Sequence, residues 1–311
     1  MNFPSVDIII PTFNCEKDIK RCLECISSQK YPGEMNIIIV DGGSSDGTIN
    51  VAKSFTSRVY VNVGQYGTGK NGAKAFGESV SRGELIWHLD SDNFVIGENC
   101  LINLVKPLME DENISFSVPV PEIDPFASSL SNWLAMREIY NLNSRIKVST
   151  KVHDYYLISD MDYGLTNGCL IRRDVLKKVG GYDSDVRLLM RMRKKKLSTA
   201  AIVPNSKFYH NQTTGYVDYL KKWLRRSKKF SAMGQEQLRD YFVEYPLPKY
   251  HDRALKNQIS GMIVSSLYLS LRNFLASGDT KWLIGIPYSV ILILAAVSHP
   301  LIAYRLWRNF L

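Results

Sequence analysis

Two aspartates one residue apart, Asp90 and Asp92, follow directly on the apolar run at residues 85–89. Side chains two positions apart on an extended chain point the same way, so both carboxylates face one site. Such a pair can hold a hard divalent cation that also takes oxygens from a diphosphate. Two more polar groups end apolar runs. Pro11-Thr12-Phe13-Asn14 closes residues 6–10, and Asp41-Gly42-Gly43-Ser44-Ser45-Asp46-Gly47-Thr48 closes residues 37–40. Turn and cap chemistry accounts for Asp46-Gly47 and for Ser44 and Ser45. It does not account for Asp41 and Asp90, each of which leaves an apolar strand.

The elements that must position these groups are legible in the same stretch. The three apolar runs are short and rich in Ile, Val or Leu, as strands covered on both faces are. Ile19, Leu23 and Ile26 share a helical face after the polar start at residues 14–18. A second helix is predicted over residues 48–55 and a brief strand over 59–63. A glycine-rich loop, 64–72, then opens a helix over 73–81, and a later strand is predicted at 200–203. Strands alternating with helices predict an α/β domain with a mostly parallel sheet. In such sheets ligands bind outside the carboxyl ends of the strands, where the polar groups fall.

The 311 residues carry 39 Lys and Arg against 30 Asp and Glu, a formal net charge of +9 that points to anionic company. The mean hydropathy of −0.13 argues against a polytopic membrane protein, but it averages unlike parts. Residues 282–304 hold no Asp, Glu, Lys or Arg over 23 positions. At helical rise that is about 35 Å, enough to cross a hydrocarbon core of about 30 Å, with Trp282, Tyr288, Tyr304 and Trp307 as interfacial anchors. Residues 257–271 are uncharged but short, and suit either an interfacial amphipathic helix or a second span. The bland alternative for both stretches is a buried helical pair. The odd count of five cysteines predicts a reducing compartment, and Cys22 and Cys25 read as small helix residues because no second ligand pair follows them. The run at residues 6–10 lacks the basic flank and length of a signal peptide, so the catalytic part is expected in the cytoplasm, held at the cell membrane.

Taken together, VDIIIPTFN, IIIVDGGSSDGT, GKNGAKAFGESVSRGE and LIWHLDSDN resemble the family 2 glycosyltransferases with a GT-A fold. The resemblance extends more weakly through TNGCLIRRDVLKKVGGYD and SKFYH to about residue 230. It implies a Rossmann-like, mostly parallel sheet flanked by helices and followed by a C-terminal helical membrane-associated region. Residues 1–115 would be the nucleotide-sugar half, 116–235 the acceptor half and 236–311 the membrane-associated helices. By the same resemblance Asp41 pairs with the base of the nucleotide, with Pro11, Thr12, Asn14 and Glu16 around it. Lys70, Lys74, Asp90 and Ser91 complete the nucleotide-sugar site. Asp90 and Asp92 bind a Mg²⁺ or Mn²⁺, and His210 reaches the metal or diphosphate. The chain departs from the family's Ala-Arg-Asn at Ala73-Lys74-Ala75, keeping the cation and losing the amide.

An inverting transfer also needs a base for the acceptor hydroxyl. The family places it in a Glu-Asp pair after a Gly-Gly-aromatic-Asp turn, here Gly180-Gly181-Tyr182-Asp183. Aligning the helix through Leu188, Met190 and Arg191 puts Asp185 on the family's Asp, with Ser184 replacing the Glu and Asp183 as the fallback. The plain alternative is that Asp183 and Asp185 only cap the helix at 186–196. Two basic clusters follow, Arg187 to Lys196 and Lys221 to Lys229. Arg225 or Arg226 could bind the diphosphate, and the other charges fit a solvated face or acidic headgroups. Nucleic acid is set aside because Trp223 is the only aromatic in either cluster. The expected activity is therefore metal-dependent transfer from a nucleotide sugar to a hydroxyl of a lipid-linked or cell-surface glycan. Its rivals are a polyprenyl-phosphate acceptor and a catalytically degenerate membrane scaffold.

Overall fold

The structure is a computed structural model that describes residues 2–62, 64, 66–162, 168–215, 217–219, 221, 270, 271, 275 and 286. It divides into two compact units, one of residues 1–124 and 135–210, the other of residues 125–134 and 211–311. In the second unit, Ser128 Oγ donates to the Thr213 carbonyl at 2.7 Å, and Asp218 accepts from the Thr213 hydroxyl at 3.0 Å. Among the described residues no helix is long and apolar enough to cross a membrane. The apolar stretches at 257–271 and 282–304 fall almost wholly outside the described residues, as do Arg225 and Arg226.

The larger unit is built on one sheet. Strands β1 (Val6–Thr12), β2 (Met35–Asp41), β3 (Val59–Val61) and β4 (Leu85–His88) run parallel in the order β3-β2-β1-β4. They are joined through helices α1 (Glu16–Ser27), α2 (Thr48–Lys53) and α3 (Gly69–Val80). Then come β5 (Asn93–Ile96), α4 (Cys100–Glu110), β6 (Phe116–Glu122), α5 (Ser129–Ile146), β7 (Thr150–Val152), β8 (Tyr155–Ile158), β9 (Leu170–Arg172), α6 (Arg173–Val179), α7 (Asp185–Lys194) and β10 (Ala200–His210). The sheet continues β4-β9-β6-β10-β8-β7, with β5 paired to the far end of β10.

The expected mostly parallel sheet is thus a mixed one. Beyond β4, only β6 and β10 pair in parallel among the described residues, while β9 runs antiparallel between β4 and β6. Strands of three or four residues such as β9 and β5 are too short to show a period in sequence.

Successive residues of β1 point to opposite faces, and both faces are covered. Val6, Ile8 and Ile10 pack with Ile19, Leu23 and Ile26 of α1 and Leu101, Leu104 and Leu108 of α4. Ile9 turns the other way, into a second core with Ala73 of α3, Leu176 of α6 and Leu188 of α7. Helix α3 lies hard against the sheet because Gly77 has no side chain: a Cβ there would run into Ile9. The buried carboxylate of Asp7 is structural, accepting from the Arg82 and Gly83 amides at 2.5 and 2.9 Å.

Candidate active site

The ends of β1 and β2 are stitched into one surface. Asp41 is fully buried and accepts from the Thr12 hydroxyl at 2.8 Å, the Gly43 amide at 2.8 Å, and the Ser44 amide and hydroxyl, both at 2.6 Å. Asn14, held at a left-handed φ of +46°, accepts from the Ser45 amide at 2.8 Å, and Glu16 accepts from the Gly47 amide at 3.3 Å. Pro11, next to last in β1, is itself buried. Asp46 takes the turn role read from sequence, and the Thr48 hydroxyl and amide beside it hold its carboxyl below the usual range. Phe13 lies between these loops and is 56% exposed, an aromatic face that the sequence reading passed over.

Asp90, Ser91 and Asp92 do not form the extended segment expected of them. The Asn93 amide donates back to the Asp90 carbonyl at 3.0 Å, so the triplet is a tight turn. The two carboxylates nevertheless converge, because β5 leaves this turn and pairs antiparallel with β10, setting Asn93 opposite His210. The predicted strand at 200–203 continues to residue 210, which makes that pairing possible. Ligand atoms of Asp90, Asp92 and His210 all lie within 4.8 Å of one another. Among the described residues this is the group of carboxylates, imidazoles and thiols close enough to hold a metal, and Cys22 and Cys25 take no part in it. His210 Nε2 is 3.8 Å from Asp92 Oδ1, and its Nδ1 is 3.2 Å from both oxygens of Glu138 on α5. Burial works against a charged His210, but Glu138, Asp92 and Asp90 together outweigh it and raise the imidazole above its ordinary value.

Two carboxylates and one imidazole form a donor set suited to Mg²⁺ or Mn²⁺. The amide of Asn93, fully buried beside this group with neither polar atom partnered, gives a bound water or cation a further neighbour.

Helix α3 begins four residues earlier than predicted, and its first turn carries much of the site. Lys70 and Lys74, one turn apart, both reach Asp90, at 2.5 and 3.1 Å. Burial alone would raise the Asp90 carboxyl, but these two ammonium groups hold it well below its ordinary range. Their ion pairs hold a glycine-rich helix start whose propensity alone reads as loop. Lys74 is fully buried and lies 3.9 Å from a second carboxylate, Asp185. One turn further on, Glu78 accepts from the Tyr182 amide at 2.8 Å. One face of α3 therefore holds both the acidic turn and the segment leading to Asp185.

That segment separates the two aspartates that sequence left together. Gly180 and Gly181 have φ of +88° and +78°, where L side chains are strained, and they turn the chain from α6 toward α7. Arg191 fixes the turn by donating to the Val179 carbonyl at 2.8 Å and to Asp183 at 2.7 Å. Ser184 caps α7 by accepting from the Arg187 amide at 3.3 Å. Asp183 is thereby committed to a structural ion pair, whereas Asp185 accepts from the Tyr182 hydroxyl at 2.7 Å and faces Lys74.

The Tyr182 ring stacks on His88, centroids 4.9 Å apart. His88 is fully buried with no hydrogen bond to either nitrogen, and burial with the Lys74 charge lowers its pKa to about 3, so the imidazole is neutral.

The basic cluster on α7 is mostly the solvated face expected, with Arg193 to Lys196 exposed and Arg191 turned inward. Arg191 is spent on Asp183, Arg193 pairs with Asp160 at 2.8 Å, and Lys195 and Lys196 lie past the helix end at Lys194.

Lys74→Met leaves Asp185 and one oxygen of Asp90 facing a thioether. Breaking a buried ion pair costs roughly 3–5 kcal/mol, and because Lys70 still neutralises Asp90 we expect about 3 kcal/mol here. Denaturant unfolding of the variant checks this, and an unchanged midpoint would show that Lys74 does not neutralise these carboxylates.

Comparison with known proteins bears on the family and the fold. A family model described as "Glycosyl transferase family 2" matches residues 7–180, more than half of the chain. Similar proteins include glycosyltransferase AglE of Haloferax volcanii, 32% identical over 93 residues. An N-acetylglucosaminyltransferase of Bradyrhizobium elkanii is 29% identical over 114 residues. These matches cover 29% and 35% of this chain and 31% and 62% of the two relatives, less than two thirds of either. Among solved structures, the mannosyltransferase PcManGT from Pyrobaculum calidifontis, in complex with GDP-Man and Mn²⁺, superposes with a TM-score of 0.58 at 19% identity. That match covers 96% of this chain and 88% of the other. It is a likeness of fold.

Proposed function

We propose, for a chain that belongs to glycosyl transferase family 2, that this glycosyltransferase moves a sugar with inversion from a nucleotide sugar to an acceptor hydroxyl, using Asp185 as base and a divalent cation on Asp90, Asp92 and His210. One observation carries the reading. A single buried ammonium, Lys74, touches both Asp90 and Asp185, so a metal-binding carboxylate and a candidate base share one cradle.

In the transfer, the acceptor O–H gives its proton to a carboxylate oxygen of Asp185 while its oxygen bonds to the anomeric carbon. The bond from that carbon to the diphosphate breaks, and its electron pair leaves on the nucleoside diphosphate. A bound Mg²⁺ or Mn²⁺ supplies positive charge against the charge developing on that diphosphate. Tyr182 orients Asp185 through its hydroxyl, and Lys70 and Lys74 add fixed cations on the donor side. The nucleoside is assigned to the joined loops of Pro11, Thr12, Asn14, Glu16 and Asp41, where Phe13 offers a stacking face, with Ser91 beside them. Arg225 or Arg226 is assigned to the diphosphate.

The donor sugar is a hexose or an N-acetylhexosamine, in keeping with the names of similar proteins. The acceptor is assigned to a lipid-linked or cell-surface glycan at the cytoplasmic membrane face. That assignment rests on the apolar, arginine-flanked sequence of residues 282–308 and its affinity for membrane lipids.

Hydrolysis of a panel of UDP- and GDP-linked hexoses and N-acetylhexosamines, with Mn²⁺, Mg²⁺ or a chelator, tests the reading. We expect slow turnover of one donor, present with metal and absent with chelator. No metal-dependent binding or turnover of any donor would overturn it.

A further inference from the structure

We infer that Glu138 is a positioning residue for the candidate metal site, fixing the His210 ring so that Nε2 points toward Asp92. The inference rests on the metal reading above but names a residue outside the ligand set. Three observations meet at this imidazole. Both carboxylate oxygens of Glu138 lie 3.2 Å from Nδ1, a pairing centred on that nitrogen. On the other side of the ring, Nε2 is 3.8 Å from Asp92 Oδ1. The backbone of His210 is fixed independently, by its pairing with Asn93 across β5 and β10.

The chemistry follows from what a carboxylate can do. An ionised carboxylate only accepts hydrogen bonds, so the proton of a neutral His210 sits on Nδ1 and the lone pair on Nε2. The torsion that spins an imidazole is broad and nearly two-fold, so the backbone pairing alone leaves the ring free to present either nitrogen to the acidic turn. Glu138 removes that freedom and makes Nε2 a better electron donor, as outer carboxylates behind metal-binding histidines do. Glu138 comes from α5, 72 residues away from the histidine it holds. Short sequence motifs cannot register such a link.

Mn²⁺ alone, titrated into the purified full chain without nucleotide and followed by the loss of the free-ion resonance signal, tests the inference apart from catalysis. Glu138→Ala should weaken Mn²⁺ binding about 10- to 100-fold. Glu138→Gln, whose amide oxygen can still accept from Nδ1, should recover most of that loss. In a His210→Ala background, Glu138→Ala should have no further effect, because nothing is left to orient. Glu138→Ala binding Mn²⁺ as the native chain does, while Asp92→Asn does not, would overturn the role of Glu138 and leave the metal reading intact. A native chain that fails to bind Mn²⁺ would overturn both. Retained helical and sheet circular dichroism in the variants separates a local loss from misfolding.

Discussion

Asp92→Asn is expected to abolish metal-dependent turnover while the protein keeps its fold. Asp92 contributes one of the three ligand atoms that cluster within 4.8 Å, and the amide replacing it carries no charge for a cation to balance. A cation on a leaving diphosphate contributes several kcal/mol of transition-state stabilisation, which corresponds to a loss of about 10³-fold in rate. Stability should change less than at Asp90, because the Asp92 side chain is 29% exposed where that of Asp90 is 8% exposed. The comparison with Asp90 is instructive. Asp90 is buried and paired with two lysines, so its removal would take the nearer carboxylate from the buried Lys74 and confuse loss of function with loss of fold. Donor turnover with Mn²⁺, together with the thermal midpoint, checks the expectation. Asp92→Asn turning over at the native rate would remove the metal from the reading.

Asp185→Asn is expected to slow transfer to a hydroxyl by about 10²–10⁴-fold, the usual worth of a positioned base. The asparagine carbonyl can still accept from the Tyr182 hydroxyl, so the side chain should stay in place and the donor should bind as before. The loss should therefore fall on kcat rather than on the KM for the donor. Single-turnover transfer with a saturating nucleotide sugar measures it. An acceptor that is already a phosphate needs no such base, so near-native transfer by this variant, with Asp92→Asn inactive, would shift the acceptor class to a polyprenyl phosphate. The same experiment in Asp183→Asn should act through stability instead, since that carboxylate is spent on Arg191.

The donor half of the site was legible because its signals are local. Asp41 and Asp90 leave apolar runs whose covered faces are visible in composition, and β1, β2 and β4 fall where those runs do. What escaped notice depends on pairing across distance. β5 is four residues long and β10 outruns its apolar core by seven, so the contact that brings His210 to the acidic turn left no periodic trace. Glu138 had no motif around it. Lys74 could be read as a cation but not as a fully buried one, because nothing in Ala73-Lys74-Ala75 announces two carboxylates from separate loops. The basic run of α7 is exposed as its composition suggested, but the pairing of Arg191 and Arg193 could not be read there, because their partners Asp183 and Asp160 lie outside the run itself.

The single face of α3 has a bearing on how such an enzyme could be remodelled. Lys70, Lys74 and Glu78 grip the acidic turn and the Tyr182 segment with one rigid rod, and that rod is seated on Ile9 through Gly77. The span from the acidic turn to Asp185 is therefore set like the jaw of a fixed spanner, not by any adjustable loop. Redesign for a bulkier or smaller acceptor has little to gain from loosening residues 69–80. Libraries are better spent on segments that approach the site without being gripped by that rod.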